Sequence, residues 1–180
     1  RFNAKGHEIE ITARDFAETV PLAKAAHISV EVVGVHGGRP VSAKAGNLVN
    51  RAWALASWAR KRKFDLAISH NSYSQILAAV LRVKCVTLMD YEYQPANHLA
   101  FRLTSKIIVP TSFPDKRLRR YGANPGKVRR YHGTKEDVYL ADFQPDPSFA
   151  SQLSLLGIAR DNVLVLMRPP AYDALYHRFQ

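Results

Sequence analysis

Polar residues with chemical capacity recur in this sequence directly after short β-branched runs. Arg14 follows Ile9 to Ala13, His36-Gly37-Gly38 follows Val30 to Val35, and His70-Asn71-Ser72 follows Leu66 to Ser69. Asp90-Tyr91-Glu92 follows Val86 to Met89, His132-Gly133-Thr134-Lys135 follows Val128 to Tyr131, and Arg168 follows Val163 to Met167. A carboxylate or an imidazole at such a position can take a proton from a hydroxyl or hold one for a leaving group. Asp90, Glu92 and His36 are therefore the catalytic candidates. An unperturbed histidine titrates at about 6.5, so His36 suits general-base work near neutrality, with a solvated loop histidine as the plain alternative.

The remaining positions suit anion binding. The pair Gly37-Gly38 lets backbone N–H groups approach a phosphate, with Arg39 or Lys44 adding charge, though a diglycine is also an ordinary loop. His70, Asn71 and Ser72 stand where a strand turns into a helix, whose first N–H groups are free for a phosphate or hydroxyl. Asn71 or Ser72 serves equally as the helix cap. Arg14, His132 and Lys135 add cationic or imidazole contacts, and Arg168 can pair bidentately with a diphosphate. The cysteine count of one, with Cys85 in an apolar run, excludes a disulfide framework and a zinc cluster.

These residues share one end of the molecule only if the runs are parallel strands. Short β-branched segments at 8–13, 30–34, 66–70, 86–90, 106–110, 128–131 and 162–167 alternate with helical stretches at 15–26, 43–63, 72–81, 96–103, 114–121 and 148–156. That alternation predicts βαβ units and a parallel sheet. In an open parallel sheet ligands bind beyond the carboxyl ends of the strands, where the candidates lie. Asp15 is expected to cap the first of these helices, with Glu18 at the reciprocal position. Gly122 stands where a helix end favours a left-handed residue. Trp53 and Trp58, five apart on one helix, are read as core or interface residues.

With 47% hydrophobic residues the chain can build a core. Its net charge of +11 admits a nucleic acid, an anionic membrane surface or a phosphorylated small molecule as partner. No recognisable nucleic-acid motif accompanies the basic segments, which disfavours the first. No apolar run approaches the length of about 20 residues that a spanning helix needs. A cytoplasmic protein is expected, with peripheral membrane association as a further option.

Taken together, Ile11-Thr12-Ala13-Arg14-Asp15, Gly34-Val35-His36-Gly37-Gly38, Ser69-His70-Asn71-Ser72, Asp90-Tyr91-Glu92-Tyr93 and Tyr139-Leu140-Ala141-Asp142-Phe143 resemble the family named domain of unknown function 354. The likeness runs in order over nearly the whole chain. That family is grouped with GT-B-fold proteins, beside nucleotide-sugar glycosyltransferases and UDP-N-acetylglucosamine 2-epimerases. The resemblance implies a Rossmann-like parallel sheet flanked by helices, as in the N-terminal lobe of a two-lobe GT-B fold. It implies a nucleotide-sugar substrate of the UDP type, with no tightly bound cofactor.

The expected division is an N-terminal lobe at 1–142, a linker and short helix at 143–161, and the start of a second, nucleotide-binding lobe at 162–180. The expected function is glycosyl transfer or sugar epimerisation on a nucleotide-activated sugar. The alternative is a non-catalytic module on the same fold that holds a polyanion or a membrane surface. A dinucleotide-dependent oxidoreductase is a weaker option: the given residues hold no Gly-x-Gly-x-x-Gly, and the first loop of the lobe, expected upstream, is where one would sit. Residues 1–5 followed by Gly6 read as the last turn of a helix entering the second strand of the lobe, which places a first, central strand upstream. Without that strand the polypeptide is expected to aggregate and to lack turnover.

Overall fold

A computed structural model describes residues 2–15, 18–35, 41–70, 72–159 and 161–167, with the side chains of 35, 41–49, 72, 73 and 139 outside the description. His36, Gly37, Gly38, Asn71, Arg168 and the side chain of Ser72 therefore lie outside the described residues. The chain opens with a 3-10 turn at Asn3–Lys5, closed by Gly6 at φ +81°. It continues through β1 (Thr12–Asp15), α1 (Thr19–Ala25), β2 (Glu31–Val35), α2 (Val41–Ala59), β3 (Leu66–Ser69), α3 (Ser72–Val80) and β4 (Lys84–Leu88). After these come α4 (Asn97–Leu103), β5 (Lys106–Pro110), α5 (Asp115–Arg120), β6 (Val128–Tyr131), α6 (Asp137–Leu140) and α7 (Phe149–Leu155).

All described strand pairs are parallel, as helix-connected strands must be. They form two sheets, β1-β2 and β3-β4-β5-β6. β5 occupies an inner position and alternates accordingly, with Ile107 and Val109 fully buried. Phe101 of α4, fully buried, meets Phe113 at 6.1 Å and Tyr121 edge-on at 5.9 Å between ring centroids. Met89, immediately beyond β4, joins the same cluster. Burying aromatic and β-branched side chains of this size contributes about 1.5–3 kcal/mol each.

Arginine side chains close the loops around that core. Arg130 Nη1 donates to the carbonyls of Pro110, Thr111 and Phe113 at 3.2, 3.2 and 2.8 Å, while Nη2 meets Asp115 at 2.5 Å. Arg102 Nη1 donates to the carbonyls of His98 and Tyr121, both at 2.7 Å. At the other end of the molecule, Arg62 links Glu10 and Glu31 at 2.6 and 2.9 Å and lies over the Trp58 ring. Trp58 stacks on Phe64, whereas Trp53 is 64% exposed under Arg60, so the helix directs one indole inward and one to solvent.

Several expectations are corrected. Residues 163–167 form no strand and are largely exposed, because no described strand edge lies beside them to supply ladder hydrogen bonds. The first strand starts at Thr12 rather than Glu8 and runs through Asp15. Asp15 is thus a strand residue rather than the cap of α1, whose N-cap is Glu18 with no side-chain cap bond. The short helix α6 was not anticipated: Asp137 accepts a hydrogen bond from the Thr134 amide at 2.7 Å and starts a turn within a polar segment. Gly122 takes φ +73° after α5, as its position predicts.

Candidate functional site

Three of the sequence candidates converge at the carboxyl end of the four-stranded sheet. β3 and β4 are in register with Ser69 opposite Thr87, so the residues that follow them, His70 and Asp90, emerge side by side. His70 Nε2 lies 3.0 Å from Asp90 Oδ1. Lys135 reaches back from the loop after β6 and places Nζ 2.7 Å from Asp90 Oδ2 and 3.8 Å from Glu136. One carboxylate oxygen thus meets the imidazole and the other meets the ammonium.

The electrostatics follow from that geometry. Partial burial would lift the Asp90 carboxyl, but hydrogen bonds from Lys135 and His70, together with their positive charge, outweigh it and hold the group below the usual carboxylate range. Asp90 is therefore ionised at neutral pH and can only accept. The Nε2 facing this acceptor is the nitrogen that carries a proton, which leaves Nδ1 as the ring nitrogen turned away from Asp90. Tyr131, the last residue of β6, has its phenol pushed above the ordinary value by burial and then by the negative charges of Asp90 and Glu136, with Lys135 offsetting part. It stays a protonated phenol beside the ionised carboxylate.

The backbone that carries Asp90 is fastened on several sides. Asn97, fully buried on α4, donates from Nδ2 to the carbonyl of Tyr91 at 3.1 Å. The Tyr121 hydroxyl donates to the carbonyl of Glu92 at 2.6 Å. Tyr93 lies under Arg117, with 4.5 Å between guanidinium carbon and ring centroid, and its ring is 5.7 Å from Tyr91. Through Phe101 and Tyr121 this loop is tied directly to the core. Such bracing limits how far the Asp90 carboxylate can be displaced.

The other candidates fall elsewhere. Glu92 is half-buried, and among the described residues its carboxylate takes no part in the His70–Asp90–Lys135 cluster. His132 is exposed and outside the cluster. Arg14 is half-buried in β1, in the smaller sheet. Tyr131 and Glu136 belong to the site but were not singled out in the sequence. Tyr131 occupies the end of a strand, the same positional signal that marked Asp90. No group of three or more His, Cys, Asp or Glu side chains suited to a metal ion occurs among the described residues, and no described helix is long and apolar enough to cross a membrane.

Comparison with known proteins places the chain as follows. A family model described as "Protein of unknown function (DUF354)" matches residues 1–178. No curated protein matches. Among solved structures, Anabaena Alr3699/HepE in complex with UDP-glucose is similar at TM-score 0.53 and 19% identity, over 80% of this chain and 40% of that one. The same protein in complex with UDP and glucose is similar at TM-score 0.50 and 15% identity, over 81% and 41%. The chain therefore spans about 40% of the length of the structures it matches. At these identities the likeness is one of fold, and it bears out the α/β, GT-B-type architecture expected from the sequence.

Proposed function

The chain belongs to the DUF354 family of proteins of unknown function, and from that premise we propose that it acts on a nucleotide-activated sugar of the UDP type, by glycosyl transfer or sugar epimerisation. The observation that carries the reading is the bracketed carboxylate, with His70 at 3.0 Å and Lys135 at 2.7 Å from Asp90 at the carboxyl end of a parallel sheet. The UDP-glucose complex of a protein of similar fold supports the substrate class.

His70 is the base in this scheme. Asp90 accepts the Nε2 proton, fixes the ring's orientation and stabilises the imidazolium that forms when Nδ1 takes a proton from a substrate hydroxyl or ring carbon. Lys135 keeps Asp90 ionised through the cycle and lends a positive charge to an anionic substrate. The Tyr131 phenol is the available neutral donor for a developing oxyanion.

The test is calorimetry and turnover on the complete protein with a panel of UDP-, GDP- and dTDP-sugars. Saturable binding of a UDP-sugar is expected, and Asp90→Asn should keep binding while lowering turnover about 100-fold or more, the usual size of a general-base contribution. Absence of binding across the panel, or unchanged turnover in Asp90→Asn, refutes the proposal. Binding to anionic vesicles that is abolished by salt, with no sugar-nucleotide binding, would establish the non-catalytic alternative instead.

A further inference from the structure

Lys135 reaches Asp90 from a segment that packing does not hold. Residues 132–138 are all exposed, so none of their side chains is anchored in the core. Yet Lys135 Nζ lies 2.7 Å from Asp90 Oδ2. A lysine carries its ammonium on a flexible four-carbon stem, so a fixed reach requires a fixed backbone at the root of the side chain. On the carboxylate side of the pair, the loop after β4 is braced by Asn97 and Tyr121, both buried. The lysine side is held by other means.

Two features close the segment into a turn around Lys135. Gly133 takes φ +98°, a conformation open to glycine without the cost a side chain would bring. A Cβ at that position would run into Asp137 Oδ2. The same oxygen accepts a hydrogen bond from the Thr134 amide at 2.7 Å, while the Thr134 carbonyl accepts from the Asp137 amide at 3.3 Å. Lys135 thus lies inside a reciprocal pair of bonds, one of which fits because residue 133 has no side chain. Asp137 also brings a negative charge toward the site. Burial, then Asp90 and Glu136, push the Tyr131 phenol up, Lys135 opposes, and Asp137 adds the smallest push. Removing that charge would by itself favour the ionised form of Asp90 and lower its carboxyl, whereas releasing Lys135 would raise it. The two effects have opposite signs.

We propose that Gly133 and Asp137 are positioning residues of the site: the glycine leaves the space in which the Asp137 carboxylate ties down the Thr134 amide, and the turn so formed holds Lys135 at Asp90. Both act through Lys135 rather than on the substrate. The inference rests on the function proposed above only for its bearing on turnover, because the geometry itself exists without substrate. The groups that face the Asp90 carboxylate are His70 from the end of β3 and Lys135, with Glu136 beside the lysine and the Tyr131 phenol close by.

The test is the NMR titration of the Asp90 carboxyl, which lies below its usual range, in the complete protein and in its Lys135→Met, Gly133→Ala, Asp137→Ala and Asp137→Asn variants. Lys135→Met sets the full upward shift. Gly133→Ala and Asp137→Ala should each show most of it, and Asp137→Asn, which keeps an acceptor oxygen for the Thr134 amide, should not titrate above the unsubstituted protein. A carboxyl at or below the unsubstituted value in either Gly133→Ala or Asp137→Ala overturns the proposal, as does an upward shift in Asp137→Asn equal to that in Asp137→Ala. Should Gly133→Ala fail to fold, the contrast between the two Asp137 variants decides alone. Unchanged turnover in Asp90→Asn would remove the function proposed above and leave these titrations standing. Lowered turnover in Asp90→Asn with no shift in the Gly133 and Asp137 variants would remove the positioning role alone.

Discussion

Asp90 and Lys135 allow a double-mutant cycle that tests the site without knowledge of the substrate. At the observed 2.7 Å separation, Coulomb attraction is about 1.5 kcal/mol at the dielectric of water and about 6 kcal/mol at an effective value of 20. The Lys135 side chain is 52% exposed and Asp90 24%, so solvent screening and the entropy of ordering a long lysine remove most of the larger figure, and a coupling of about 0.5–1 kcal/mol remains. Asp90→Asn, Lys135→Met and the double variant, compared by urea unfolding of the complete protein at pH 7, should show that coupling. The folded carboxyl lies below its usual range. Its contribution is thus fully present above the unfolded value of about 3.9 and lost as pH falls through the folded one. The coupling should stay constant from pH 7 to 5, vanish in strong acid, and shrink in 1 M salt. A coupling within error of zero at pH 7, or one that survives in strong acid, would show that the ion pair is not formed as described.

Further outcomes concern the frame. Phe101→Ala removes a fully buried ring against Phe113 and Tyr121 and should cost about 3–5 kcal/mol, read as a lower urea midpoint at unchanged slope. Gly122→Ala adds a Cβ at φ +73° that would sit 2.7 Å from the Arg102 guanidinium carbon. The left-handed strain of about 1–2 kcal/mol alone should lower the melting temperature by several degrees. Cys85 is 1% exposed and burial raises its thiol pKa, with a Thr104 hydrogen bond opposing. Alkylation at pH 8 should proceed at the rate of unfolding and be fast in Thr104→Val only as far as that variant is destabilised.

The parallel strands β5 and β6 were legible to the residue, since each is a short β-branched or basic-aromatic run between clear turn signals. The position of Asp90 was legible for the same reason: whatever follows a parallel strand lies at the binding end. Its partners were not. The pairing of His70 with Asp90 depends on the register of β3 against β4, and that of Lys135 on a loop returning across β5, neither of which periodicity encodes. Residues 163–167 show the converse, because their Val-Leu-Val-Leu-Met pattern specifies an extended conformation while a strand needs a neighbour the pattern does not contain. Asp15 illustrates a local competition, in which pairing with Val35 in the sheet prevails over capping the following helix.

The carbonyl-bound guanidinium of Arg130 changes how the chain's formal charge should be weighed. Log affinity for duplex DNA falls with log salt by about 0.9 for each phosphate neutralised, and by about 0.7 for a single strand, because each contact releases condensed counterion. Arg130 spends its donors on Pro110, Thr111, Phe113 and Asp115, Arg102 on His98 and Tyr121, and Lys127 on the Thr104 carbonyl at 2.9 Å. Cations held in this way keep their long-range field but cannot turn to follow a phosphate chain. A salt titration against such a ligand would thus report a slope well short of the one that +11 suggests, with the excess charge acting on encounter rates rather than on the bound complex.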